Sequence, residues 1–209
     1  MQITEIFHSI QGEGLLVGLP TIFIRTTGCN LRCNYCDTTY AYEGGKTRSI
    51  TQILSKITSY NCQTICITGG EPLIQKDINH LITALLEKNY FVCLETNGSQ
   101  PIDKIKTKKS LMISMDIKTP SSNMHHHTRF ENIQLLSEKD QVKCIIQNKK
   151  DYNYAKQIIK ELNPICPIIF QPVWGFNPKT LASWILKDKI PVRLGIQLHK
   201  IIWGEKTHK

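Results

Sequence analysis

Residues 64–86, TICITGGEPLIQKDINHLITALL, contain one complete strand–turn–helix unit. The stretch from Thr64 to Thr68 is a short, β-rich apolar run, which is typical of a buried strand. A Gly-Gly-Glu-Pro turn follows, and the apolar residues from Ile78 to Leu86 then recur at helical spacing. A strand followed by an amphipathic helix is the repeating unit of parallel α/β sheets.

The same alternation extends along most of the chain. Further strands are predicted over residues 21–25, 90–95, 111–116, 142–147, 168–171 and 192–198. Further helices are predicted from Ile50, behind a Ser49–Gln52 capping box, from Tyr154 to Leu162, and from Asn177-Pro178 to Leu186. About six parallel strands are too few for the eight units of a closed barrel. We therefore expect an α/β fold, an open and incomplete (β/α) barrel with fewer helices than a full barrel, as a single domain over residues 1–209.

The composition is that of an ordinary globular protein. Of the 209 residues, 41% are hydrophobic and 21% are charged, which excludes wholesale disorder. The chain lacks an apolar run of the roughly 18–20 residues that span a bilayer, and its first residues do not resemble a signal peptide. We therefore expect a cytoplasmic protein with reduced thiols. The net charge is 26 − 17 = +9, but no RNA-binding signature accompanies it, so we expect neither direct nucleic-acid binding nor membrane binding.

Polar or cysteine-containing motifs follow the predicted strands, at the point where each strand ends. They are Cys29–Cys36, Gly69–Pro72, Glu95–Gly98, Asp116 with Lys118, Gln171 with Trp174, and Gln197 with His199. In parallel α/β folds the carboxyl ends of the strands build the active site. The recurrence of such motifs at successive strand ends predicts one site across the mouth of the sheet.

The cysteine motif carries the most specific chemistry. Cys29, Cys33 and Cys36 have the spacing CxxxCxxC, which about one in a hundred random chains of this composition would contain. Three close thiolates suit a soft metal or an iron–sulfur cluster, and a four-iron cluster with three protein ligands keeps one iron open. Structural zinc with a histidine ligand is the alternative. The His125–His127 run is expected to be an exposed loop, and the other five cysteines are expected to be small buried hydrophobic residues.

The cysteine motif, with an aromatic residue just before its last cysteine, resembles the radical S-adenosylmethionine (SAM) superfamily. The Gly69–Pro72 turn resembles the SAM-binding turn of that superfamily. Segments along nearly the whole chain also resemble the 7-carboxy-7-deazaguanine synthase family: Glu5–Gly14, Arg25–Gly28, Cys36–Thr38, Glu95–Gly98 and Gln197–Lys200. The resemblance implies an incomplete barrel of the radical SAM type.

The resemblance also implies an activity. Members of the family are carbon–nitrogen lyases that convert 6-carboxy-5,6,7,8-tetrahydropterin to 7-carboxy-7-deazaguanine by radical ring contraction with loss of ammonia, for queuosine or archaeosine precursors. It implies one [4Fe–4S] cluster, SAM and Mg²⁺ as cofactors, and a homodimer. The cluster needs a reductant, and we expect an acidic flavodoxin-like donor, which the lysines at 104, 106, 108 and 109 would steer.

Two other functions are compatible with the sequence motifs. One is a radical SAM activase that installs a glycyl radical in a partner protein. The other is a zinc-stabilised, basic RNA-binding protein without enzymatic activity.

The resemblance also implies which residues form the site. It implies no catalytic side chain, because a SAM-derived radical does the chemistry. The expected metal ligands are Cys29, Cys33 and Cys36 for the cluster and Thr38 for Mg²⁺. The expected SAM contacts are Tyr35, Cys36, Asp37, Gly70, Ser114, Met115, Asp116, Lys118, Gln171, Pro172, Val173 and Trp174. The expected substrate contacts are Ile10, Gln11, Gly12, Glu13, Arg25, Thr68 and His199.

Three of these assignments have structural alternatives. Glu13 and its neighbours would otherwise form a solvated turn, Arg25 a structural ion pair, and His199 a buried structural histidine. The sequence assigns no role to residues 201–209 or to the His125–His127 run.

Overall fold

The computed structural model describes residues 1–105 and 108–204, which form a sheet with helices packed on it. The strands are β1 (Gln2–Ile10), β2 (Pro20–Thr26), β3 (Lys46–Thr47), β4 (Thr64–Gly69), β5 (Phe91–Thr96), β6 (Leu111–Ile117), β7 (Gln141–Ile146), β8 (Ile168–Pro172) and β9 (Arg193–Leu194). The α-helices are α1 (Ile50–Thr58), α2 (Ile78–Glu87), α3 (Lys149–Leu162), α4 (Pro178–Asp188) and α5 (Leu198–Trp203).

The sheet has the strand order β3-β1-β2-β4-β5-β6-β7-β8-β9. Neighbours from β2 through β4 to β9 are parallel, whereas β1 is antiparallel to both β2 and β3. Within the described residues β3 and β9 are the two edges and do not pair with each other, so the barrel is open. This confirms the expected incomplete (β/α) barrel.

Three features of the sheet differ from the sequence prediction, and one is the two-residue edge strand β3, which lies outside the predicted strands. Strand β1 lies outside the predicted strands, because most of its side chains are only half-buried and the segment lacks a clean apolar alternation. The strand predicted over residues 192–198 is wrong beyond Leu194. Gly195 still donates its N–H to the Phe170 carbonyl of β8 at 2.8 Å. Leu198 donates its N–H to the Gly12 carbonyl at 2.9 Å instead, so the chain leaves the sheet after Gly195 and begins α5.

Helices α1 and α4 begin where their capping residues predict, whereas α3 begins at Lys149, ahead of the predicted Tyr154, because Asn148 caps it by accepting the Asp151 N–H. Ser49 accepts a hydrogen bond from the Gln52 N–H, while the Gln52 side chain accepts one from the Ser49 N–H at 2.8 Å, which is the expected capping box. Asn177 caps α4, which extends two residues past the predicted Leu186. Among the described residues the β5–β6 and β6–β7 connections contain no α-helix, which confirms the expectation of fewer helices than in a full barrel. None of the helices in the described part of the chain is both long and apolar enough to cross a bilayer.

The alternation of side chains along the strands separates an apolar face from a polar one. Ile22, Ile24, Ile65 and Ile67 are fully buried in the core that also contains Ile53 of α1. The opposite face of the same strands points into the barrel. It presents polar side chains whose register pairs are Arg25 with Thr68, Glu95 with Ser114, and Asp116 with Lys143.

A buried carboxylate fastens the long connection between β6 and β7. Asp140 is 1% exposed, and its Oδ1 accepts the Ile113 N–H of β6 at 2.7 Å. Its Oδ2 accepts both the N–H and the hydroxyl of Ser137 at 2.7 Å. Because a buried N–H without a partner is costly, Asp140 holds the start of β7 in register with β6.

We expect Asp140→Ala to lower the free energy of unfolding by about 2–4 kcal/mol, since it leaves the buried Ile113 N–H unpaired. Urea denaturation measures this loss. The same substitution at the exposed Asp103 is the control, with an expected change of no more than about 0.5 kcal/mol. Equal unfolding free energies for the two variants would contradict this role of Asp140.

Candidate active site

A cavity of about 530 Å³ opens at the carboxyl ends of the parallel strands. It is the place that the sequence motifs predict for the site. The predicted residues that line it are Ile10, Gln11, Gly12, Glu13, Arg25, Cys29, Cys33, Tyr35, Cys36, Asp37, Thr38, Thr68, Gly70, Asp116, Lys118, Gln171, Pro172, Val173, Trp174 and His199. The strand-end motifs therefore do meet in one cavity.

Two predicted SAM contacts, Ser114 and Met115, do not line this cavity. Ser114 is fully buried beneath it and accepts a hydrogen bond from Gln141 Nε2 at 2.7 Å. Met115 is on the other face of β6 and belongs to the apolar core. Asp116, two residues after Ser114 on the same face of β6, and Lys118, just after the strand, do line the cavity.

The cysteine loop follows β2, and its three thiols are half-buried along the cavity. Burial raises the pKa of Cys29 and Cys33, while the Cys29 sulfur accepts the Leu31 N–H at 3.4 Å and the Asn97 amide at 3.8 Å. The three sulfurs are not all within 4.8 Å of one another. A tetrahedral zinc ion needs its sulfur ligands within about 4 Å of each other. The loop therefore fits a larger group such as an iron–sulfur cluster better than it fits structural zinc.

The Gly-Gly-Glu-Pro turn after β4 packs directly against the start of the cysteine loop. A Cβ at Gly70 would overlap the Gly28 carbonyl, and the Glu71 N–H donates to that same carbonyl at 2.8 Å. Only glycine permits this approach of the two backbones. The turn and the cysteine loop thus form one wall of the cavity.

Glu71 joins this wall to the end of β5. Its buried carboxyl accepts the Leu73 N–H at 3.0 Å, the Thr96 hydroxyl at 2.9 Å and the Asn97 N–H at 2.6 Å. Burial raises the pKa of Glu71 to about 7, against the opposite effect of these hydrogen bonds. Glu71 is therefore a structural acid that positions Asn97 beside Cys29.

A network of buried charges occupies the opposite wall. Lys143 of β7 is 3% exposed, and its Nζ lies 2.8 Å from Glu13 Oε2, 3.5 Å from Asp116 Oδ1 and 4.0 Å from Glu95 Oε1. Asp116 is also paired with Lys118 at 2.7 Å. Burial alone would lower the pKa of Lys143, but the three carboxylates raise it well above its usual value. Lys143 is therefore charged at all physiological pH values.

The segment Gln197–Lys200 closes the cavity from the C-terminal side. Gln197 donates to Glu13 Oε1 at 3.0 Å, and Lys200 pairs with Asp37 at 3.0 Å. A Cβ at Gly12 would overlap the His199 imidazole, so the glycine permits the histidine to pack against the loop after β1. This segment thus connects the loop after β1 to the cysteine loop.

Arg25 forms an ion pair, which the sequence analysis gave as the alternative to substrate binding. Its side chain also lines the cavity. Its Nε donates to Glu5 Oε1 at 2.6 Å across the β1–β2 pair, and Tyr40 donates to the same oxygen at 2.9 Å. The guanidinium carbon lies 5.8 Å from the Phe7 ring centroid. Glu5 therefore orients the guanidinium at the cavity wall.

Several residues of the site were not among the predicted contacts, chiefly Glu95, Asn97, Lys143, Gln197 and Lys200. Lys143 could have been recognised as a candidate from the sequence, because a lysine inside the apolar strand QVKCII needs a buried partner. Two of its partners, Glu95 and Asp116, are on other strands and Glu13 follows β1, so their pairing with Lys143 was not recognisable from the sequence alone.

Another group of possible metal ligands lies below the cavity. Cys66, Cys93 and Glu95 have ligand atoms within 4.8 Å of one another. A hydrogen bond with Cys93 and burial both raise the pKa of Cys66 well above its usual value, and Lys143 lies 4.0 Å from Glu95. The ammonium group of Lys143 beside these ligands disfavours a cation. Cys66 and Cys93 are buried as expected, whereas Cys62 is only half-buried, against the expectation.

The His125–His127 run forms a turn in the β6–β7 connection, outside the cavity lining. His126 and His127 are exposed, whereas His125 packs edge-on against Tyr154 at 5.6 Å. Within the part of the chain that the structure describes, these histidines belong to no group of metal ligands.

Comparisons of the chain with a family model and with curated proteins point to the same family. Residues 23–162 match the family model described as the radical SAM superfamily. The chain is 40% identical to the 7-carboxy-7-deazaguanine synthase of Chlorobaculum tepidum, over 98% of this chain and 94% of that protein. It is 36% identical to the enzyme of the same name from Thermoplasma acidophilum, over 98% of each protein.

Solved structures share the fold. The crystal structure of QueE from Escherichia coli matches with a TM-score of 0.76 at 23% identity, covering 95% of this chain and 94% of that chain. Streptococcus suis SuiB bound to its precursor peptide matches with a TM-score of 0.61 at 15% identity, covering 82% of this chain and 47% of that chain. With matches of this length and identity, the chain belongs to the radical SAM superfamily and, within it, to the 7-carboxy-7-deazaguanine synthase family.

Proposed function

We propose that this protein is a carbon–nitrogen lyase that converts 6-carboxy-5,6,7,8-tetrahydropterin to 7-carboxy-7-deazaguanine with loss of ammonia, in 7-deazapurine biosynthesis. The observation that carries the proposal is that the CxxxCxxC loop and a set of charged side chains line the same cavity. The substrate is a compact bicycle with a carboxylate, so it needs both a cation and polar hydrogen-bonding groups. The cavity offers both within reach of the cysteine loop.

Cys29, Cys33 and Cys36 would hold a [4Fe–4S] cluster, and the Gly-Gly-Glu-Pro turn would hold SAM beside it. Cluster-bound SAM supplies, on reduction, the radical that abstracts a hydrogen atom from the substrate. Gln171 supports the binding of a polar ligand, because its buried Oε1 has no hydrogen-bond partner among the described residues. Asp116 and Lys118 are the further SAM contacts that we propose at the cavity rim.

The remaining side chains would bind and orient the pterin. Arg25 would bind the substrate carboxylate, since a guanidinium suits a planar carboxylate and Glu5 already fixes its orientation. Gln11, Glu13, Thr68 and His199 would contact the ring system. The Gln197–Lys200 segment would shield the bound substrate from water.

We propose that Thr38 contributes a ligand to Mg²⁺. Its hydroxyl is at the cavity and currently donates to Asp37 Oδ1 at 3.0 Å. Hydroxyl, carboxylate and water oxygens are the hard donors that this ion prefers.

The glycyl-radical activase is not favoured as an alternative. Relatives that match over nearly the whole chain are named as synthases of a small molecule. A zinc-stabilised RNA-binding protein is likewise not favoured, because the chain matches the radical SAM family model over residues 23–162.

We also propose an acidic flavodoxin-like electron donor, a homodimer and a cytoplasmic location. Lys104, Lys108 and Lys109 are exposed and support the docking of an acidic donor, while residue 106 of the predicted patch lies outside the described residues. All eight cysteines are free thiols, as in a reducing compartment.

The experiment that tests the function is anaerobic reconstitution with iron and sulfide, followed by reaction with SAM, dithionite, Mg²⁺ and the tetrahydropterin. We expect mass spectrometry to detect 7-carboxy-7-deazaguanine without stoichiometric consumption of SAM. Cys33→Ala should lose the cluster and all SAM cleavage, whereas Cys62→Ala, outside the cavity lining, should keep both. SAM cleavage without this product would rule out the proposed reaction.

We expect Arg25→Ala to raise the KM for the pterin by about tenfold or more, because a charge-assisted hydrogen bond to the substrate carboxylate is lost. Iron content should stay at the parent level, since Arg25 does not contact the cysteine loop. Steady-state kinetics with saturating SAM measure the effect, and Arg193→Ala on the exposed edge strand is the control. An unchanged pterin KM in Arg25→Ala would show that Arg25 does not bind the substrate carboxylate and has only the structural role of its ion pair with Glu5.

We expect Thr38→Ala to keep the cluster but to raise the Mg²⁺ concentration for half-maximal activity by about tenfold, since one oxygen ligand is lost. A magnesium titration of the reconstituted enzyme measures this. The neighbouring Thr39 is exposed and outside the cavity lining, so Thr39→Ala should match the parent protein. If the two threonine variants titrate alike, Thr38 is not a magnesium ligand.

A further inference from the structure

Lys143 is the buried cation around which one wall of the cavity is organised. Its ammonium group is surrounded by carboxylates from three different parts of the chain: Glu13 after β1, Glu95 on β5 and Asp116 at the end of β6. Burying an ammonium group costs several kcal/mol unless it is paired. A lysine at this position therefore needs a function that a neutral residue would not perform.

The three carboxylates do not depend on Lys143 equally. Asp116 has a second and closer cation in Lys118, at 2.7 Å. Glu95 is 4.0 Å from Lys143 and accepts a hydrogen bond from the Thr68 hydroxyl at 3.2 Å. Glu13 has its shortest contact, 2.8 Å, with Lys143.

Each carboxylate oxygen of Glu13 accepts one hydrogen bond from the described residues. Oε2 accepts from Lys143 and Oε1 accepts from Gln197 at 3.0 Å. Each carboxylate oxygen has about two acceptor directions, so one direction on each oxygen remains for a ligand. Glu13 lines the cavity, and the ionised group therefore offers two adjacent acceptors to whatever binds there.

The groups around Glu13 favour its ionised form. Burial by itself would raise its pKa, but Lys143 above all, together with hydrogen bonds and the nearby His199, holds the pKa well below its usual value. Glu71 shows what burial does to a carboxyl group of this protein without such an ammonium contact, since its pKa is raised to about 7. Without Lys143, Glu13 would take up a proton and lose one of its two acceptors.

We propose that Lys143 is a positioning residue for pterin recognition, which keeps the Glu13 carboxylate as a two-acceptor edge for the paired N–H donors of the aminopyrimidinone ring. A 2-amino-4-oxopyrimidine presents an amide N–H beside an exocyclic amino group, and two adjacent acceptors match that pattern. Glu13 makes the contact and Lys143 acts through it. The inference deepens the proposed function and rests on it.

The test is equilibrium binding of 6-carboxy-5,6,7,8-tetrahydropterin to cluster-loaded protein with SAM but without reductant, so that no turnover occurs. We expect Lys143→Gln to weaken binding by about tenfold at about pH 6, where a carboxyl group with a pKa like that of Glu71 is about nine-tenths protonated and one charge-assisted acceptor is lost. Binding should recover as the pH rises to about 9, because the pH then exceeds the raised pKa that Glu13 is expected to have in this variant. The parent protein and Lys143→Arg, which keeps the cation, should bind with little change between about pH 6 and about pH 9.

The matched control is to make the Lys143→Gln substitution in a protein that already carries Glu13→Gln. The amide cannot ionise, so its binding should be weak and independent of pH, and adding Lys143→Gln should change it less than about threefold. If Lys143→Gln alone loses the cluster, the double variant should regain it, because no carboxylate at position 13 is then left without its cation.

Three results would overturn the inference. They are parent-like binding by Lys143→Gln, an affinity loss that is independent of pH, and an equal loss in the Glu13→Gln background. A parent protein that forms no product with this pterin would instead remove the proposed function, so the two failures are distinguishable.

Discussion

The parallel pairing of β2 with β4, and of each following strand with the next, is the constraint on which the site depends. Parallel strands bring their carboxyl ends to one edge, so loops that are far apart in sequence must meet there. The register then fixes which side chains are neighbours on adjacent strands of the cavity face, such as Arg25 beside Thr68 and Asp116 beside Lys143. The helices on the outside stabilise this arrangement by burying the isoleucine face of the same strands.

The interior of the open barrel is polar, in contrast to the packed apolar interior of a closed one. Each buried charge there is compensated: Arg25 by Glu5, Lys118 by Asp116, and Lys143 by three carboxylates. Removal of one partner from such a pair is strongly destabilising, whereas the intact pair contributes little net stability. The network is therefore understandable as part of ligand binding rather than as a source of stability.

The sequence predicted the architecture well, because its strands and helices have strong and local patterns. The capping box at Ser49 and the helix start at Asn177 required only neighbouring residues. The site was predictable where a motif carries its own chemistry, as in the cysteine loop. Lys143 was missed because its carboxylate partners come from three other segments, and β1 was missed because its half-buried side chains lack a regular alternation.

The link between Glu13 and Gln197 has a consequence for the order of assembly. These residues are 184 positions apart, whereas the cysteine loop is held by contacts with Gly70 and Asn97. Contacts of high sequence separation form late, because they require the intervening chain to be folded. During synthesis the part of the cavity around the cysteine loop can thus form before the Gln197–Lys200 segment closes it. Any state in which the last helix is detached would retain the contacts of the cysteine loop with Gly70 and Asn97, while losing the ion pair between Lys200 and Asp37 and the packing of His199 against Gly12.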